Sequence, residues 1–106
     1  MNEIISHDVY GKEHVVKADD LLLSVHVYGL AVKDGEILIS PQWDGYDFPG
    51  GTAKLGETHL ETLTREFKEE TGYVVKPLRL LAIYTSFYHH HKSSRDYQSY
   101  LIYYLV

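Results

Sequence analysis

Glu66, Glu69 and Glu70 crowd the last turns before Gly72 in a stretch of helical character. Clustered carboxylates are hard oxygen donors, suited to magnesium or manganese rather than to softer ions. With Leu60 as origin and about 100° per residue, Leu60, Leu63 and Phe67 define a buried stripe. Glu66 and Glu70 then fall about 40° apart beside that stripe, while Glu69 lies outward next to Arg65. A solvated face would centre where Glu69 and Arg65 are. Like charges at i, i+4 cost a few tenths of a kcal/mol in an isolated helix, and these stand near the end whose dipole disfavours anions. A bound divalent cation would offset both costs; a plain acidic surface is the other reading of the same residues.

The elements that position this helix are legible on either side. Thr58 is a cap, with Glu61 completing a capping box, and the helix runs to about Thr71 before the terminating Gly72. Pro41 to Glu57 (PQWDGYDFPGGTAKLGE) breaks all periodicity and reads as a long ordered loop. Upstream, Ile4 to Val9 and His14 to Lys17 form a weak hairpin. Leu21 to Val32 and Glu36 to Ser40 pair across Lys33-Asp34-Gly35. Downstream, Val74 to Tyr88 and Tyr97 to Val106 are strands joined by a loop over residues 89–96. Strands, one helix and hairpin connections predict a mixed-sheet α/β or α+β domain spanning residues 1–106.

Residues 51–73 resemble the signature of the Nudix hydrolase family. Gly51, five residues, Glu57, seven residues, then Arg65-Glu66-Phe67-Lys68-Glu69-Glu70-Thr71-Gly72-Tyr73 reproduce every fixed Gly, Glu and Arg at the family's spacing. Phe67 and Tyr73 fill slots where aliphatics are commoner, and Phe48-Pro49-Gly50 is similar to the family's lead-in. The resemblance implies a loop-helix-loop metal site on a mixed sheet flanked by helices. It implies that Glu66, Glu69 and Glu70 hold Mg2+ or Mn2+, with the Gly50 carbonyl as a further ligand. Glu57 and Arg65 become supporting catalytic residues, and Glu69 the base that activates water. The implied reaction is cleavage of a phosphoanhydride bond in a nucleoside diphosphate linked to another moiety, such as a nucleoside triphosphate or ADP-ribose. Family members usually continue past the strand ending at Val106 into a loop, a strand and a helix. Their absence from this sequence implies closure by homodimerisation or a shortened chain. A nucleotide-sensing module without turnover, or an inactive fragment, is the alternative function; the intact glutamates argue for catalysis.

Trp43, Tyr46 and Phe48 precede the glycines and, with Gly51, are candidate substrate-binding residues: the aromatics by stacking on a base, or else by packing the loop. Six of the ten tyrosines fall between Tyr84 and Tyr104, and Tyr84, Tyr88, Tyr100 and Tyr103 read first as sheet residues. His89-His90-His91 without a nearby cysteine reads as an exposed loop before it reads as a zinc site or a phosphate contact. His26 reads as a half-buried strand residue.

Composition narrows the partners. A net charge of −5 disfavours a stable nucleic-acid partner, which needs many Lys and Arg contacts, but suits a small nucleotide neutralised by a cation. No cysteine means no disulfide framework or thiolate chemistry. No apolar run reaches the roughly 18 residues of a membrane span, and the first residues lack a signal peptide's blocks. A cytoplasmic enzyme away from the membrane is the expectation.

Overall fold

A computed structural model describes residues 2–42 and 45–106. Strand β1 (Glu3–His7) turns back into β2 (Glu13–Lys17), with Glu3 opposite Lys17 and His7 opposite Glu13. The turn is held by Asp8, whose Oδ1 accepts from the backbone N–H of Tyr10 and Lys12 at 2.9 Å each. A short 3-10 turn, Ala18–Asp20, leads to β3 (Leu22–Leu30). The expected turn at Asp34-Gly35 is present, both residues left-handed at φ 54° and 77°, between β4 (Val32–Lys33) and β5 (Glu36–Ile37). That is the backbone a two-residue hairpin requires.

Residues 41–57 are not the unbroken loop that their composition suggests. β6 (Ser40–Gln42) pairs with β7 (Gly45–Asp47), and β8 (Gly50–Thr52) pairs antiparallel with β3. Gly-Gly-Thr has low strand propensity; these residues are strand because the β3 edge offers them a ladder. Helix α1 (His59–Thr71) follows as expected, with both halves of the capping box formed by Thr58 and Glu61 and a left-handed Gly72 at its end. β9 (Arg79–His90) begins five residues later than expected and ends two later; Pro77 has no N–H for a ladder. β10 (Arg95–Leu105) closes the chain.

Six strands are hydrogen-bonded in the order β2-β1-β9-β10-β3-β8, with β1 parallel to β9 at His7–Tyr88 and antiparallel to β2, so the sheet is mixed. Long strands β3, β9 and β10 each run through two units, Met1–Ser24 with Tyr84–Tyr100, and Val25–Ile83 with Leu101–Val106. Among the described residues no helix is long and apolar enough to cross a membrane.

The second unit holds the core. Val27, Leu63 and Phe67 are fully buried, with Val25, Ala31, Leu38 and Ile102 packed against them. Helix and strand approach closely at Gly29, where a Cβ would stand 2.9 Å from the Phe67 ring. Leu60 does not belong to the buried stripe: it is 38% exposed, while Thr62 is fully buried in its place. The Thr62 hydroxyl is satisfied by Glu57 Oε1 at 3.1 Å and the Thr58 carbonyl at 3.2 Å. This turns the inward side of α1 toward Glu66 and Glu70, so the pair lies nearer its centre than the apolar stripe alone indicates.

In the first unit the expected histidine loop is part strand: His90 and His91 are exposed and His91 lies in the turn, but His89 is half-buried. His89 and His90 end β9, and His89 Nδ1 lies 2.9 Å from Asp96 Oδ1. Asp96 Oδ1 also accepts from the fully buried Ser6 hydroxyl at 2.7 Å. The His89 ring stacks on His14, centroids 3.7 Å apart, and His14 Nε2 meets Asp8 Oδ2 at 2.9 Å. Paired carboxylates draw these imidazoles into the strand pairing, which a run of three histidines does not reveal.

Candidate functional site

The site is organised around the close approach of α1 to β8. Pairing of Val27 with Gly51 and of Tyr28 with Gly50 lays the glycines beside β3. A Cβ on Gly50 would collide with the Val27 carbonyl oxygen, and one on Gly51 would lie 2.5 Å from Glu66 Cδ. The two glycines therefore serve different neighbours: Gly50 admits a backbone, Gly51 a carboxylate. Glu70 reaches the same strand, its Oε2 accepting from the Gly50 N–H at 3.3 Å.

Arg65 anchors the helix to the preceding loop. Its Nε and Nη2 donate to Glu57 Oε2 and Oε1 at 2.6 and 3.0 Å, a bidentate pair. Nη1 donates to Glu66 Oε1 at 2.8 Å, and Nη2 also to the Thr52 carbonyl at 3.2 Å. Glu69, the expected i, i+4 partner, is weaker, with both oxygens 3.4 Å from Nη1 and its side chain 56% exposed. Hydrogen bonds from the guanidinium, then from the Lys54 N–H, hold Glu57 down at about 2. Hydrogen bonds to Glu57 and Glu66 raise Arg65, which stays cationic. One cation thus fixes the loop and one oxygen of Glu66 together.

A cavity of about 300 Å³ opens beside these residues, lined by His26, Tyr28, Gln42, Asp47, Glu66 and Glu70 and by β8 itself. Partial burial, with Glu66 and Asp47 nearby, raises the Glu70 carboxyl, against hydrogen bonds from the Gly50 N–H and Ser40 that lower it. Burial lowers His26, leaving the ring neutral at pH 7, with its Nδ1 3.2 Å from Thr52 Oγ1. Burial first, then Asp47 and Tyr103, raises Tyr28, so its phenol stays protonated.

Among the residues singled out from sequence, the structure gathers Glu66, Glu70, Gly50 and Gly51 at the cavity and Arg65 and Glu57 behind it. Glu69 stands outside the lining. Tyr46 is 72% exposed, and Phe48 packs edge-on against Tyr103 at 6.2 Å, which itself stacks on Tyr28 at 5.3 Å. Trp43 lies outside the described residues. Tyr84 is exposed; Tyr88 and Tyr100 are half-buried in the first unit. Sequence reasoning missed Tyr28, Gln42, Asp47 and the site role of His26. The available signal was the i, i+2 spacing of His26 and Tyr28, which puts both on one face of β3. Among the described residues no group of three or more His, Asp or Glu side chains is arranged to hold a metal ion unaided.

The chain resembles known proteins over most of its length. The family model described as NUDIX domain matches residues 20–106. The ADP-ribose pyrophosphatase of Methanocaldococcus jannaschii is 33% identical over 99 residues, covering 79% of this chain and 59% of that protein. Two solved structures share the fold. A MutT protein from Methanosarcina mazei superposes with a TM-score of 0.63 at 22% identity, covering 82% of this chain and 67% of the other. A NUDIX hydrolase from Nitrosomonas europaea gives 0.61 at 22% identity, covering 80% and 60%. The chain spans between 32% and 59% of the length of the curated relatives it matches.

Proposed function

Because the chain belongs to the Nudix family, we propose that it hydrolyses a phosphoanhydride bond in a nucleoside diphosphate linked to another moiety. Convergence of Glu66 and Glu70 on one cavity across Gly50-Gly51 is the observation that carries this reading. The name of the M. jannaschii relative, an ADP-ribose pyrophosphatase, is in keeping with it. Residues 1–106 act as one domain in this reading.

The donor set fits a magnesium or manganese ion. Both carboxylates are hard oxygen donors, and magnesium is commonly held by one or two carboxylates together with substrate phosphates and water. Glu66 and Glu70 would hold it, with the Gly50 carbonyl at the cavity wall. When bound, the ion would neutralise phosphate oxygens and lower the pKa of a coordinated water.

The chain's own groups account for the rest. Arg65 and Glu57 keep Glu66 aimed over Gly51. Water oxygen bonds to one phosphorus, the bridging oxygen leaves with the other phosphate, and the water proton passes to a carboxylate. Glu69, 3.4 Å from Arg65 Nη1 and one turn from Glu66 on α1, is the carboxylate this reading assigns to that proton. A cytoplasmic location accompanies the proposal.

The test is incubation with magnesium and a panel of nucleotides, reading release of phosphate, pyrophosphate or mononucleotide beside a Glu70→Gln control. Turnover unaffected by the substitution would sink the carboxylate mechanism, and nucleotide binding without turnover would favour a sensing module.

A further inference from the structure

Strand β2 ends the six-stranded sheet, and among the described residues β1 is its sole ladder partner. The Asp8 N–H donates to the Lys12 carbonyl at 3.0 Å, and the Ala18 N–H to the Asn2 carbonyl at 2.7 Å. Both bonds lie on the register that sets Ile5 opposite Val15, so Ile4–Val16 and Ser6–His14 are the hydrogen-bonded pairs between them. Glu13, Val15 and Lys17 therefore turn their N–H and C=O groups to the open side. All three are exposed, Val15 at 66%.

An open edge is a template for any extended chain, and charge on it restricts which chains fit. Here Glu13 and Lys17 flank Val15 symmetrically with opposite signs. A second copy of β2, running antiparallel about a two-fold axis at Val15, sets outward residue against outward residue. Val15 meets its own mate, Glu13 meets the second copy's Lys17, and Lys17 meets its Glu13. Each is then a hydrogen-bonded pair, so every outward N–H of both strands finds a carbonyl. A register slipped by two residues sets a charge against Val15 and loses the match. A strand of another protein must bring these charges in the reverse order; a second copy does so by symmetry.

The side chains repeat the fit. Glu13, Val15 and Lys17 share a face with His7, Ile5 and Glu3, their partners on β1. Across the joint, Ile5 and Val15 of both copies make one apolar row, covering an Ile5 that is 50% exposed in the single chain. On each side of it a charged row runs His7, Glu13, then Lys17 and Glu3 of the second copy. His7 Nε2 already lies 3.5 Å from Glu13 Oε2, whereas Lys17 has no ion-pair partner among the described residues.

We propose that β2 is a homodimerisation edge, where two copies pair antiparallel about Val15 with Glu13 and Lys17 in reciprocal contact on both sides of the axis. The two sheets then continue into one another. The joint is five residues a side, which places it among weak, concentration-dependent associations.

Sedimentation equilibrium at rising concentration tests it, the mass climbing from 12.2 kDa for one chain toward twice that value. Lys17→Glu or Glu13→Lys alone sets like charges opposite each other at both ends of the joint. Each should weaken dimerisation by at least about tenfold. An equimolar mixture of the two variants restores opposite charges at every contact, and should recover association as a heterodimer. Val15→Pro removes an outward N–H without touching the ladder to β1. It should also dissociate the dimer, with the His14 and Val16 N–H groups still protected from exchange. A parent chain that stays monomeric at every concentration overturns the proposal. So does a dimer that these substitutions leave intact, or a mixture that associates no better than either variant alone.

Discussion

Arg65 meets Glu57 through two parallel hydrogen bonds of 2.6 and 3.0 Å, joining the second turn of α1 to the loop eight residues before it. Lysine carries the same charge but cannot form that fork. Arg65→Lys should therefore fold and lose roughly tenfold or more in kcat/KM, since it frees both the loop and Glu66. A variant retaining full activity would show that the fork positions nothing.

The same pair sets a pH dependence. Glu57 is held at about 2 in the folded chain against 4.5 for the free carboxyl. Its contribution to stability is fully present above about 4.5 and is lost as the pH falls toward 2. Urea denaturation at pH 6 and pH 3 should show a drop that is smaller in Glu57→Gln, whose side chain does not titrate. An identical drop in both proteins would assign the acid sensitivity elsewhere, for example to Asp8, held at about 2 mainly by its hydrogen bond to His14.

How much of this was legible follows from which forces were local. The capping box, the Gly72 terminus and the Asp34-Gly35 turn are set by residues within a few positions, and each stands where sequence puts it. The spacing of Gly51, Glu57, Arg65 and Glu66 likewise encodes one bracing network. Strand β8 was hidden because its pairing comes from β3, more than twenty residues away. Leu60 misled the helix reading because hydrophobicity was taken for burial, whereas Thr62 is buried by its bonds to Glu57 and Thr58. Asp47 and Gln42 reach the cavity through the β6–β7 hairpin, which composition presented as irregular loop.

Gly50 and Gly51 separate folding from function. Alanine at Gly50 runs into the Val27 carbonyl, a backbone atom that cannot move without breaking the β3–β8 ladder. Gly50→Ala should cost at least about 2–3 kcal/mol in urea titrations. Alanine at Gly51 displaces only the flexible end of Glu66. Gly51→Ala should stay within about 1 kcal/mol of the parent yet lose roughly 10- to 100-fold in kcat. Equal effects of the two on stability would contradict the division.

Glu70 is kept at a cost to the fold. Partial burial, Glu66 and Asp47 raise its carboxyl, so ionisation above the ordinary carboxylate range destabilises the folded chain, and that penalty vanishes as the pH falls below it. Glu70→Gln removes the charge while its amide oxygen still accepts from the Gly50 N–H. In metal-free buffer at pH 7 the variant should melt no lower than the parent and, with the repulsion screened at an exposed side chain, only slightly higher. It should also lose turnover. A lower melting temperature would mean that Ser40 and Gly50 outweigh the repulsion.

Asp96 offers a structural control in the first unit. Its Oδ1 accepts from Ser6, fully buried, and faces His89 Nδ1, whose ring in turn stacks on His14. Asp96→Ala leaves the Ser6 hydroxyl with the His14 carbonyl at 3.5 Å as its remaining acceptor, a geometry at the limit of a hydrogen bond. The loss should be about 1–3 kcal/mol, the cost of a buried hydroxyl without a good partner. Amide exchange should quicken in residues 3–17, where β1 and β2 are paired, while kcat/KM on the preferred nucleotide changes less than about threefold. A larger loss of activity at unchanged exchange would move Asp96 from structural support to the reaction itself, because only a group acting on substrate alters turnover without loosening the hairpin.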